Sequence, residues 1–166
     1  MRPSLVGPLT KMQIWPRTRT AVDVIVDDHL LLRLLLDDPP SGLRSAGAQV
    51  LTTGLWYHRL CRAVGSDAVI GRMSRSLGAA APGVAASAIS AIIELPATVG
   101  LLSLRDLAWP MARLLGGGVR LNLMSLEALA AADYQNAEIC LAPADDNVPL
   151  RETAVQLGIP VRLVGG

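Results

Sequence analysis

The chain is short of charge. Asp, Glu, Lys and Arg make up 17% of its 166 residues, against roughly a quarter in ordinary globular proteins. So few charges fit an exposed apolar surface used for self-association or a partner, and fit equally an Ala- and Leu-rich helical protein. Cysteine is scarce as well. Cys61 and Cys140 lie far apart and in no metal-binding spacing, so buried free thiols, a reducing compartment and a cytoplasmic location are expected. No apolar run reaches the roughly 18–20 strongly apolar residues of a membrane span. The uncharged stretch Leu77 to Ile93 is Ala-rich and broken by Gly and Pro82, which predicts no membrane partner. Nor does the N-terminal region hold the continuous apolar stretch of a signal peptide. Acids are missing from residues 1–20, which carry Arg2, Lys11, Arg17 and Arg19. They are nearly missing from residues 44–75, where Arg44, Arg59, Arg62, Arg72 and Arg75 face Asp67 alone. Such an uneven layout can steer a polyanion, or can be scattered surface arginines, since the net charge is only +1.

What is present suits one domain. Apolar residues reach 51%, enough to exclude a disordered chain, and a chain of this size buries about 70% of its unfolded surface. Residues 1–20, rich in Pro, Arg and Thr, read as a flexible leader, and residues 21–166 as a single domain. Ala21–Asp27 crowds Val and Ile together like a strand buried on both faces. Asp27 or Asp28 can then cap a helix that stops at Asp37-Asp38-Pro39-Pro40. Thr52 or Thr53 is expected to cap a helix reaching about Val64, and two further helices are expected over 68–78 and 83–94. Thr98–Leu102 reads as a short strand. Ser103 then caps a helix in which Pro110 should introduce a kink and which the glycines at 116–118 end. Ser125 is expected to cap a helix to about Tyr134. A strand over 138–142, a loop over 143–147, a helix over 148–157 closed by Gly158, and a strand over 160–164 complete the chain. Strands alternating with helices predict an α/β fold with a parallel sheet.

In such sheets chemistry gathers beyond the carboxyl ends of the strands. Asp27 and Asp28 follow the first strand there, Asp145 and Asp146 follow the strand at 138–142, and Glu127 falls near a helix start. Each position alone is explained by the helix dipole, which favours acids at N-termini by about 0.3–1 kcal/mol. Together they suggest a site, because clustered carboxylates repel unless a cation compensates and hard oxygen ligands suit Mg²⁺ or Mn²⁺.

Three segments carry a resemblance to the PIN-domain family: AVDVIVD with the apolar helix after it, SLEALAAA at 125–132, and the ending AEICLA, then DD, then LRETAVQLGIPVRLV. The resemblance covers roughly residues 21–164. It implies a three-layer α/β/α sandwich with a parallel sheet, and a metal-dependent ribonuclease that hydrolyses phosphodiester bonds of RNA, often the toxin of a toxin–antitoxin pair. Carried over, Asp27, Glu127 and Asp145 would be the catalytic acids, with Asp146 sharing the Mg²⁺ or Mn²⁺ and an antitoxin protein as a partner; a homodimer is expected from the low charge content. The family's second acid is missing: the helix LWYHRLCRAV places His58 or Arg59 where it is expected. A PIN-like module that has lost catalysis, and binds RNA or a protein through its arginines, is therefore the alternative.

Other residues divide between chemistry and packing. Trp56 and Tyr57 beside Arg59 and Arg62 can stack on bases next to phosphate contacts, though packing is the simpler expectation. His29 can touch substrate or start a helix at the surface, Asp106 can compensate a dipole, and Asn147 can orient water or make an Asx-turn. Asp133, six residues beyond Glu127, falls on another helix face. The spacing of Asp23 and Asp27 does not match the Asp-x-Asp nucleophile of a haloacid dehalogenase-like phosphatase.

Overall fold

The computed structural model describes residues 21–65 and 72–165. The leader expected over 1–20 and the beginning of the helix expected over 68–78 lie outside the described residues.

The first strand, β1 (Val24–Val26), is buried along its whole length. Side chains alternate across a strand, so Val24 and Val26 enter one core while Ile25 enters the other. That makes β1 the centre of the sheet. It pairs in parallel with β2 (Val50–Thr53) on one side and β4 (Glu138–Leu141) on the other. The edges are β3 (Val99–Leu102), beside β2, and β5 (Val161–Leu163), beside β4. The resulting order, β3-β2-β1-β4-β5, is parallel throughout.

Helices cover both faces, giving the expected three-layer α/β/α sandwich. On one face, α1 (Asp28–Leu35), α2 (Gly54–Gly65) and α4 (Pro82–Ile93) bury Leu30, Leu31, Leu60 and Ile92 against Val24, Val26, Val50 and Cys140. Between them α3 (Arg72–Ala79) packs on α2. On the other face, α5 (Leu104–Gly116), α6 (Leu123–Gln135) and α7 (Val148–Gln156) bury Leu107, Leu129 and Leu150 against Ile25, Leu51 and Ile139. The central helix of that layer, α6, is apolar nearly all round, with every residue from Ser125 to Ala132 buried, as befits a helix enclosed by neighbours. Among the described residues no helix is long and apolar enough to cross a membrane.

Two expectations need correction. Thr52 and Thr53 do not cap a helix: they are buried residues of β2, a strand missing from the sequence reading, and α2 begins at the next residue. The short, β-branched segment VLTT has a partner on each side, and that pairing outweighs its capping chemistry. The second concerns α6, which starts earlier than expected. Asn122 caps it by accepting the Ser125 amide at 2.9 Å, so Glu127 sits one turn deeper than a dipole-compensating acid. The helix expected after Ser103 forms with that residue as its cap and runs through Pro110 to Gly116.

Candidate metal centre at the sheet switch point

The strand order reverses at β1: the chain moves outward to β2 and β3, then returns to β4 on the other side. The carboxyl ends of β1 and β4 therefore flank a crevice where no connection crosses, the usual ligand position in such sheets. The residues leaving β1 there are Asp27, Asp28 and His29. Those leaving β4 form a 3₁₀ turn, Pro143–Asp145.

Asp27 is fully buried and works as a clamp. Its Oδ1 accepts the Leu30 amide at 2.8 Å, capping α1, and its Oδ2 accepts the Ala142 amide at 2.6 Å, tying the end of β4 to β1. Burial pushes its carboxyl up to about 7; the two amides oppose the rise, and the neighbouring charges of Asp145 and Asp28 add to it.

Asp28, also fully buried, turns the other way. Arg59, one turn into α2, grips it bidentately, Nε on Oδ2 and Nη2 on Oδ1. The same Nη2 lies 3.1 Å from Asp145 Oδ2. That oxygen also bonds His29 Nδ1, which stands 3.8 Å from Asp28 Oδ1. The four side chains close a ring of alternating carboxylates and nitrogen groups. Its electrostatics follow from its geometry. The Asp145 hydrogen bond raises His29 above its ordinary value, against the opposing effect of burial. Burial alone would raise Asp145, but the His29 bond and the Arg59 charge outweigh it and hold the carboxyl low. The bond to Asp28 raises Arg59 still further.

Among the described residues, Asp28, His29 and Asp145 form the group whose potential ligand atoms all lie within 4.8 Å of one another. Two carboxylates and an imidazole at that spacing can hold a metal ion. Neither Asp27, Glu127 nor Asp146 belongs to it. Asp146 instead pairs with Arg151, at 2.7 and 3.1 Å. Glu127, fully buried, reaches from α6 to the start of α2, where its Oε2 accepts the Leu55 amide at 2.9 Å. Burial raises its carboxyl, opposed by the amides of Leu55 and Gly54 and the Thr53 hydroxyl. Its Oε1 and Thr53 Oγ1 both lack a regular hydrogen bond. The Thr53 hydroxyl turned toward Oε1 would satisfy the two together.

A cavity of about 270 Å³ opens beside the ring, lined by Trp56, Arg59, Ser125, Asp145 and Asn147 among others. Asn147 caps α7 through the Leu150 amide at 3.0 Å and donates to Ser125 Oγ at 3.0 Å, so it serves as a turn residue. Trp56 belongs to the core, and the Tyr57 hydroxyl donates to the Ile92 carbonyl at 2.6 Å; both are packing residues. His58 and Arg62 are exposed on α2, so the helix turns Arg59 toward the acids. Asp106 bonds the Ser103 hydroxyl at its own helix start, and Asp133 meets Arg113 at 3.5 Å. Cys140 is buried, its thiol pushed up to about 12 chiefly by burial, while Cys61 is partly buried.

The sequence reading placed Asp28 beside Asp27 at the strand end but chose Asp27 as the site acid, and weighed His29 between a substrate contact and a helix-start residue. The signal available was the pair of polar side chains following the cap, which helical geometry turns away from the cap's own direction. No family model matches the chain, and no curated protein matches it.

Proposed function

We infer that the chain is a PIN-like, metal-dependent ribonuclease whose cation site is Asp28, His29 and Asp145. The observation that carries this reading is the convergence of those three side chains within 4.8 Å at the switch point of a parallel sheet. The order of elements supports the family resemblance, and the donor set suits Mn²⁺ or Mg²⁺, with the imidazole favouring Mn²⁺. A divalent cation, when bound, supplies Lewis-acid activation of water and neutralises charge on a phosphodiester. The chain's own groups do the rest. Asp27 fixes the ends of β1 and β4, Asp145 orients the His29 ring, and the adjoining cavity offers a place for a nucleotide.

The test is a calorimetric titration with Mn²⁺ and Mg²⁺ beside cleavage of a mixed RNA pool. Wild-type protein is expected to bind the cation and cut. Asp145→Asn should lose both, and Asp146→Asn should keep both. A wild-type chain that neither binds metal nor cuts RNA overturns the nuclease reading.

One observation favours a second reading, a PIN-like module that binds RNA or a protein without cutting. Where the family carries an acid on α2, this chain places His58 or Arg59, and the Arg59 guanidinium already neutralises Asp28. RNA binding that persists in Asp145→Asn, with no cleavage by the wild type, would support it.

A further inference from the structure

Both oxygens of Asp28 are occupied by Arg59, and Asp145 Oδ2 is shared between Arg59 and His29. Any cation that takes Asp28 as a ligand must share an oxygen with one of these guanidinium bonds or break it. The guanidinium also carries the charge a metal ion would otherwise supply, and the two cannot sit close together without strong repulsion. Arg59 nonetheless has somewhere to go. Its side chain is 35% exposed and lines the cavity beside the ring, whereas Asp28 is fully buried and fixed at the start of α1.

We propose that Arg59 is an internal competitor for the cation site, holding Asp28 and Asp145 closed until a divalent ion displaces its guanidinium into the adjoining cavity. This rests on the metal-site reading above and adds to it a cost of loading set by one side chain. Displacement would have a second consequence: the freed guanidinium faces the space where a bound phosphodiester would lie, so loading the metal and presenting a phosphate-binding arginine become one event.

The experiment is a Mn²⁺ titration, followed by the loss of the free-ion paramagnetic resonance signal, on the full chain and its variants. Arg59→Ala and Arg59→Gln are each expected to bind Mn²⁺ about tenfold or more tightly than wild type. Adding Asp28→Asn to either should abolish that gain. Arg59→Gln keeps a hydrogen-bond donor near the buried carboxylate, so it guards against a fold lost with Arg59→Ala. A third measurement needs no variant: bound Mg²⁺ should shift the Arg59 Nε–H resonance of the wild-type chain away from its ion-paired position. Equal Mn²⁺ affinity in wild type and Arg59→Gln, or an Arg59 resonance unmoved by bound Mg²⁺, overturns the competition and leaves the metal site standing. Absence of Mn²⁺ binding in every variant overturns the metal site and the competition with it.

Discussion

Asp27 accepts two backbone amides from opposite sides while fully buried. Burial is the larger influence, and its carboxyl is expected to titrate at about 7. Carbon-detected NMR of the side-chain carboxyl checks this directly, and a midpoint near the ordinary value of 3.8 would refute it. The consequence for stability has a definite sign. A proton held more tightly in the folded state stabilises fully below the unfolded value and is lost as pH rises through the folded one. That window runs from 3.8 to about 7 for Asp27, and upward from 6.5 for His29. Asp145, held low, contributes above 3.8 and loses its contribution on further acidification. The thermal midpoint should therefore be higher near about pH 5 than near about pH 8. A midpoint that is flat or rises over that interval would contradict the assignment. The sequence displayed Asp27 and Asp28 side by side, and either could cap α1. Which of them faces the crevice depends on the Ala142 amide and on Arg59, both distant in the chain.

At the scale of elements, α2 is capped from outside. It follows β2 without a linking residue, so no local side chain precedes it as a free cap, and Glu127 of α6 takes the Leu55 amide instead. An unmet amide at a helix start costs about 0.5–2 kcal/mol, so Glu127→Ala should destabilise the protein by at least that much, with a cavity cost added. Glu127→Gln keeps one carbonyl oxygen for Leu55 and offers an amide hydrogen to Thr53. Its cost should stay below about 1 kcal/mol, and urea unfolding distinguishes the two variants. A large loss in Glu127→Gln would show that the charge itself is needed. The start of α2 also sets where Arg59 points, so the cap and the ring share one helix. The acid in SLEALAAA was legible as a motif. Its partner was not, because a contact from α6 to α2 spans 72 positions of sequence.

The whole molecule holds two cores separated by the sheet, and they carry its stability. Leu129 is fully buried among α6 neighbours and sheet residues, so Leu129→Ala should cost about 2–5 kcal/mol. Trp109, despite its size, is 74% exposed on α5, so Trp109→Ser should change stability by no more than about 0.5 kcal/mol. Paired denaturant curves measure both, and a large loss in Trp109→Ser would place that face in a buried contact in solution. Exposed Leu101, Leu104 and Leu115 lie on β3 and α5 as well. The low charge content thus has a physical expression on this side of the fold.

The sequence by itself determined the α/β class, most of the helices and the positions of the acids at strand ends. Those features depend on local periodicity, capping and burial of Val- and Ile-rich runs, which neighbouring residues decide. Only the tertiary structure decided that VLTT is a strand, since its ladder needs β1 and β3 on either side. It also decided which acids meet. Asp27 and Glu127 went to backbone amides, while Asp28, His29, Arg59 and Asp145 closed a ring. That choice depends on strand order and helix rotation, because a carboxylate in a buried site takes whichever donor the packing brings within reach.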